Sequence, residues 1–136
     1  MSAGKKAIAL AGGVKSGLST PGAGNGDVVA RASLQGAPVT VSGSTLTLTE
    51  AAHHLKILEF TSACTVTLPN SLPVGFNCLI VQVGVGVVSL SAASGAALRQ
   101  FDGLSNTAGQ WSEVSLRVRA NSGGSAAEYV ASGVMA

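Results

Sequence analysis

The chain has 136 residues and a formal net charge of +2, and 10% of its residues are charged, against roughly a quarter in ordinary soluble domains. That length suits one domain with a single core and is short for two. Charge this thin and scattered excludes a nucleic-acid partner, which needs clustered cations: only Lys5 with Lys6 and Arg117 with Arg119 lie close together.

Gly, Ala, Ser, Thr and Val stand where Lys and Glu would normally keep a monomer soluble, so the faces are expected to be covered by copies of the chain or by a larger particle. The N-terminus, MSAGKKAIALAGGVKSG, has the outline of a secretory signal. Its apolar run from Ala7 to Ala11 is shorter than such a signal needs, and Lys15 follows soon after, so it reads as an arm. No stretch approaches the ~18 apolar residues of a membrane span, and no membrane partner is expected.

Composition changes at Pro38. Residues 1–37 hold many of the glycines, including PGAGNGD from Pro21 to Asp27, and keep neither helical nor strand periodicity, which predicts an extended arm. From residue 38 to 136 the pattern is that of a β-domain. VTVSGSTLTLT sets Val39, Val41, Leu46 and Leu48 on one face and Thr45, Thr47 and Thr49 on the other. After the polar EAAHHL, the segments KILEF and CTVTL read as strands, the latter with Cys64, Val66 and Leu68 on one side. Pro69, Pro73 and Gly75 make a turn, and FNCLIVQV is apolar on both faces, as a central or intersubunit strand would be. VVSLS, a short strand near Leu98, QWSEVSLRVRA with Val114, Leu116 and Val118 inward, and EYVASGV complete eight or nine short strands. No helix is predicted. Short strands at regular spacing predict an all-β fold, a small β-sandwich or jelly-roll-like barrel.

The two cysteines, Cys64 and Cys78, have no activating base beside them in sequence and read as small buried apolar residues. They are also symmetric about Ser71, so a hairpin in that register would set them opposite one another, within reach of a bond in an oxidising compartment. His53 and His54 are adjacent, face opposite ways on an extended chain and have no ligand at metal spacing; they read as exposed turn histidines. The six acids, Asp27, Glu50, Glu59, Asp102, Glu113 and Glu128, suggest no catalytic pair, and no nucleophile or phosphate-loop motif is present. The reading is therefore of a protein that is not an enzyme and takes no cofactor or metal. Trp111 and Tyr129 read as core or interface anchors rather than sugar-stacking platforms.

TVTLPNSLPVGFNCLIVQVGVGVVSLSAASGAALR, then AGQWSEVSLRVRA and a terminal EYVASG, resembles a β-rich module of tailed-bacteriophage virion proteins, over about Leu46 to Gly133. Such modules occur in capsid decoration (cement) proteins and in head and tail fibres. The resemblance implies a homotrimer assembled in the host bacterial cytoplasm, with reduced cysteines, that binds and stabilises the major capsid protein shell; the alternative is a tail or head-fibre module that binds a host glycan. Leu79 and Val81 would anchor the core or the oligomer. The basic residues of the arm, Lys5, Lys6, Lys15 and Arg31, are the expected capsid-attachment element.

Overall fold

The computed structural model describes Leu34 and residues 36–136. The arm's Lys5, Lys6, Lys15 and Arg31 lie outside the described residues. The described residues form nine strands, one α-helical turn and, between the last two strands, a 3-10 turn at Ser122–Gly124: β1 Val39–Val41, β2 Thr45–Thr47, α1 Glu50–His53, β3 Lys56–Phe60, β4 Cys64–Leu68, β5 Asn77–Gln82, β6 Val88–Ala92, β7 Ala97–Gln100, β8 Glu113–Asn121 and β9 Ala127–Gly133.

The fold is all-β, in two sheets. One has six strands in the order β1-β3-β5-β8-β9-β7; the other has three, β2-β4-β6. Five of the seven strand pairings are parallel, whereas a jelly roll is built from antiparallel pairs. The chain winds as a coil. Each of the first three strands of the six-stranded sheet, β1, β3 and β5, is followed by a turn and a strand of the second, so β1–β2, β3–β4 and β5–β6 form three stacked rungs. Leu58 of β3 faces Val39 below and Ile80 above, and Val66 of β4 faces Leu46 and Leu90. A single rung cannot bury its apolar residues alone, so stacking supplies the core, as in other solenoids. The difference from the sequence expectation has a simple cause: period-two alternation records which side chains point inward and is silent on whether neighbouring strands run parallel.

The inward alternation itself holds. Val66, Leu68, Leu90, Val114, Leu116 and Val118 are buried between the sheets with Leu48, Leu58, Phe60, Phe76, Ile80 and Tyr129. β5 is central, as its two-faced apolarity predicts. Cys78 and Ile80 point to the core, and Leu79 and Val81 to the sheet's other face, where they are 6% and 7% exposed.

The cysteines do not meet in a hairpin. Cys64 lies on β4 and Cys78 on β5, which belong to different sheets, because the chain from Pro69 to Phe76 crosses between layers instead of reversing within one. Both are free, buried thiols.

At the turns between sheets the rungs come very close. Ser42–Ser44, Thr61–Ala63 and Val83–Val87 stack through Thr61 N–H to Val41 O (3.0 Å), Val83 N–H to Phe60 O (2.9 Å) and Cys64 N–H to Val87 O (3.3 Å). Gly84 and Gly86 permit this, since a Cβ on Gly84 would sit 2.3 Å from Thr61 O and one on Gly86 2.2 Å from Ala63 N.

Beyond the third rung the winding stops. β8 returns antiparallel to β5, and β9 runs antiparallel to β8 and parallel to β7. Alongside β6, Asn106 bridges Ser89 and Thr107 bridges Met135, so the chain covers its own edge.

Candidate functional site

Several exposed apolar side chains gather on turns beside the third rung. Val83–Val87 joins β5 to β6 and leaves Val85 85% exposed, with Val87 also exposed. Beside it, Gly109–Ser112 forms a tight turn: Ser112 N–H donates to Gly109 O (3.1 Å), and Gly109 N–H donates to Ser112 Oγ (2.9 Å). Within that turn Trp111 has φ = +73°, a left-handed conformation that costs a non-glycine residue about 1–2 kcal/mol. Its N–H donates to Gln82 O at 2.6 Å, and Gln110 Nε2 to Val83 O at 3.0 Å, which together hold the strained turn against β5 and the Val83–Val87 loop.

The indole is therefore presented outward, 66% exposed. Val134, 59% exposed, joins the same corner, because its N–H donates to Glu113 O and its carbonyl accepts from Ala108 N–H. Strain concentrated on a displayed aromatic is an observation that points to a binding role.

Under this corner lies a polar knot with no charge in it. Gln82, Thr107 and Ser112 are buried; the Thr107 hydroxyl donates to Gln82 Oε1, and Val88 N–H donates to Thr107 Oγ1 (3.0 Å). Gln82 Nε2 donates to Gly84 O (3.1 Å). The amide and hydroxyl are satisfied by the protein, so the knot fixes the corner.

The two sequence-predicted aromatic anchors separate. Tyr129 is fully buried on β9, and its hydroxyl donates to Pro69 O (2.5 Å), locking the Pro69–Phe76 crossing to the sheet. Trp111 takes no part in the core. β8 begins only after Ser112, so the strand pattern read from Gln110 through QWSEV starts three residues too early. Leu79 and Val81 are buried on the face of β5 away from the inter-sheet core.

His53 is not an exposed turn histidine. It ends α1, is buried, and its Nδ1 accepts from Thr49 N–H at 2.9 Å; burial pushes its pKa below the usual histidine value. His54 Nδ1 accepts from Asn77 N–H (3.3 Å), and the ring lies 5.7 Å from that of Phe76. Both imidazoles serve the crossing between rungs. Among the described residues no group of three or more His, Cys, Asp or Glu is placed to hold a metal ion.

Three charged residues, Arg99, Arg119 and Glu128, form a small ion cluster on the six-stranded sheet. Glu128, at a bulge in β9, accepts from Arg99 Nε (2.6 Å) and from Arg119, and these guanidinium bonds hold its carboxyl below the usual range.

Sequence reasoning overlooked Phe101, which is 97% exposed on the loop after β7, as well as Val85, Val87 and Val134. A single aromatic among turn residues, in QFDGLSN, was the available signal. Comparison of the chain with protein-family models, curated proteins and solved structures finds no match in any of the three.

Proposed function

We propose that the chain is a structural protein of a bacteriophage virion, a non-catalytic β-module that assembles as a trimer in the host cytoplasm and decorates the capsid, binding and stabilising the major capsid protein shell. The observation that carries this reading is the display of Trp111, Val85 and Val134 on one corner of a tightly stacked scaffold, with the Trp111 backbone held in a strained conformation to do it. Exposed apolar side chains on a domain of low charge find their stable state in contact with another protein surface. The module resemblance supplies the kind of assembly. In this reading Lys5, Lys6, Lys15 and Arg31 attach the arm to the shell, and three arms on one trimer act multivalently.

Copy number tests it. Quantitative mass spectrometry of purified particles, with antibody labelling, is expected to find the chain in large excess over tail components and spread over the shell. Absence from particles refutes the reading, and labelling confined to tail or fibre tips moves it to the second. That second reading, a head or tail-fibre module that binds a host glycan, is favoured by the exposed indole of Trp111 with Glu113 two residues away on the surface. Trp111 is the sole tryptophan, so its fluorescence reports directly on sugar stacking.

A further inference from the structure

Two adjacent imidazoles hold the corner between β2 and β3, each by accepting a backbone N–H. His53 Nδ1 accepts from Thr49 N–H (2.9 Å), while the Thr49 hydroxyl accepts from Ala52 N–H (3.3 Å), a reciprocal pair of the kind that caps helix starts. His54 Nδ1 accepts from Asn77 N–H (3.3 Å), and the next residue, Leu55, donates its N–H to Asn77 O (2.7 Å). Both backbone groups of Asn77, the first residue of β5, are therefore held by consecutive residues of the corner.

The corner is also strained. Leu55 has φ = +61°, one of two non-glycine residues in the left-handed region among the described residues, and its bond to Asn77 O holds it there. Beneath it the Phe76 ring is buried, 5.7 Å from that of His54.

An imidazole accepts at Nδ1 only while that nitrogen carries no proton; a protonated ring sets N–H against N–H at Thr49 and at Asn77. Histidine is the side chain whose charge changes between about pH 5 and 8. The titratable groups on the surrounding elements are Glu50 on α1, Lys56 and, further along, Glu59 on β3, Cys78 on β5, and Arg117 on β8, which pairs with Asn77. Among the described residues no carboxylate is ion-paired to either ring, so nothing offsets the charge that protonation would bring. Burial already disfavours the charged form of His53 and lowers its pKa.

We propose that His53 and His54 form an acid-sensitive latch. With both rings neutral the Thr49–Leu55 corner is shut against β5; when both take up protons it swings off, Leu55 relaxes and Phe76 is uncovered, while the stacked rungs stay folded. The latch is a property of the folded chain and is independent of where that chain assembles.

Residue-resolved amide exchange of the full-length chain between about pH 7.5 and pH 5 tests it, each rate being divided by its intrinsic value at that pH. Below the ordinary histidine pKa of about 6.5, protection of Thr49, Leu55 and Asn77 N–H is expected to fall about ten-fold per pH unit for each proton taken up on opening. Gln82 N–H, bonded to Ser112 O (3.0 Å), and Val83 N–H, bonded to Phe60 O (2.9 Å), are expected to keep theirs. His53→Asn and His54→Asn each put an amide Oδ1, which accepts but does not titrate, in the place of Nδ1. Each single variant is expected to halve the slope, and the double variant to keep its protection in acid. Wild-type protection at the three amides that stays level to the acid end, or falls together with that of Gln82 and Val83, overturns the latch. So does an unchanged slope in either single variant. The wild-type profile decides even where a variant folds poorly.

Discussion

Replacing Gly84 with alanine tests the stacking of rungs directly. Neither Gly84 nor Gly86 has a positive φ, so backbone conformation is no obstacle to alanine at either position; the obstacle is the rung below. A Cβ on Gly84 would stand 2.3 Å from Thr61 O and 2.8 Å from Thr61 C, about 1 Å inside normal contact, and both are backbone atoms that cannot swing aside. Relief requires the Val83–Val87 turn to lift, which strains the bonds from Val83 N–H and Gly84 N–H to Phe60 O. Overpacking costs about 1–3 kcal/mol and a weakened hydrogen bond about 1 more, so Gly84→Ala is expected to destabilise by about 2–4 kcal/mol. For a domain of this size that lowers Tm by about 10–25 °C. Gly109→Ala is the control: no atom lies within 4 Å of its Cβ, and it should be neutral or raise stability by about 0.4–1 kcal/mol. The assay is thermal and urea unfolding followed by circular dichroism. A Gly84→Ala protein within about 0.5 kcal/mol of the Gly109→Ala control would refute the close stacking, since Gly84 would then lie in an open loop.

Tyr129→Phe keeps the buried ring and removes the donor to Pro69 O, which leaves that carbonyl without its partner; a loss of about 1–2 kcal/mol in urea unfolding is expected, and no loss would show that the hydroxyl does not hold the crossing. His53 has a folded pKa below its ordinary 6.5, so its contribution to stability is complete above pH 6.5 and is lost as pH falls below that value, where the unfolded chain takes up a proton first. Urea midpoints measured on either side of pH 6.5 should fall on the acid side in the wild type and fall less in His53→Gln; parallel profiles would argue against a buried neutral imidazole. Burial pushes the Cys78 thiol up to about 12, so it should resist a thiol reagent at mildly alkaline pH in the native protein and react in denaturant. Rapid labelling of Cys78 in the native state would contradict its place in the core.

Much of the core was legible because each strand's alternation reports burial without reference to its neighbours. CTVTL and EVSLRV put Val66, Leu68, Val114, Leu116 and Val118 inside by local pattern alone. The winding was not legible in the same way. Val39–Val41, Leu58 and Ile80 become neighbours only because tight turns send the chain to the other sheet after each strand, and a turn such as Thr61–Ala63 looks in sequence much like a hairpin turn. The two glycines of VGVGV carried the one local hint, since spacing two residues apart on a turn suits close approach of another backbone. At the surface, alternation misled. Trp111 continues the apolar phase of Val114 and Leu116 poorly, and its left-handed turn, fixed by Ser112 and Gln82, removes it from the strand altogether. His53 was misjudged for the opposite reason: a polar residue in a polar stretch is buried once its ring accepts a backbone N–H, and sequence does not display that bond.

The closed end explains how so uncharged a chain stops stacking. Exposed edges of parallel strands invite further strands, and proteins often deter them with lysines or prolines on the edge strand. Here the third rung is covered instead. β8 takes the edge of β5 in antiparallel register, and the segment through Asn106 and Thr107 takes the edge of β6, itself covered by Met135 and Ala136. The Thr107 hydroxyl, bonded to Gln82 and receiving Val88 N–H, fixes that second cover to the rung with neutral hydrogen bonds in the interior. Because the edges of β5 and β6 are already paired, further association over the third rung has to use side chains on turns, and those turns carry Trp111, Val85 and Val134. The outermost strands differ: β1 and β7 of the six-stranded sheet and β2 of the three-stranded sheet have no strand on their outer sides among the described residues. The covered third rung thus presents side chains on turns, whereas the outer edges of β1, β2 and β7 present backbone among the described residues.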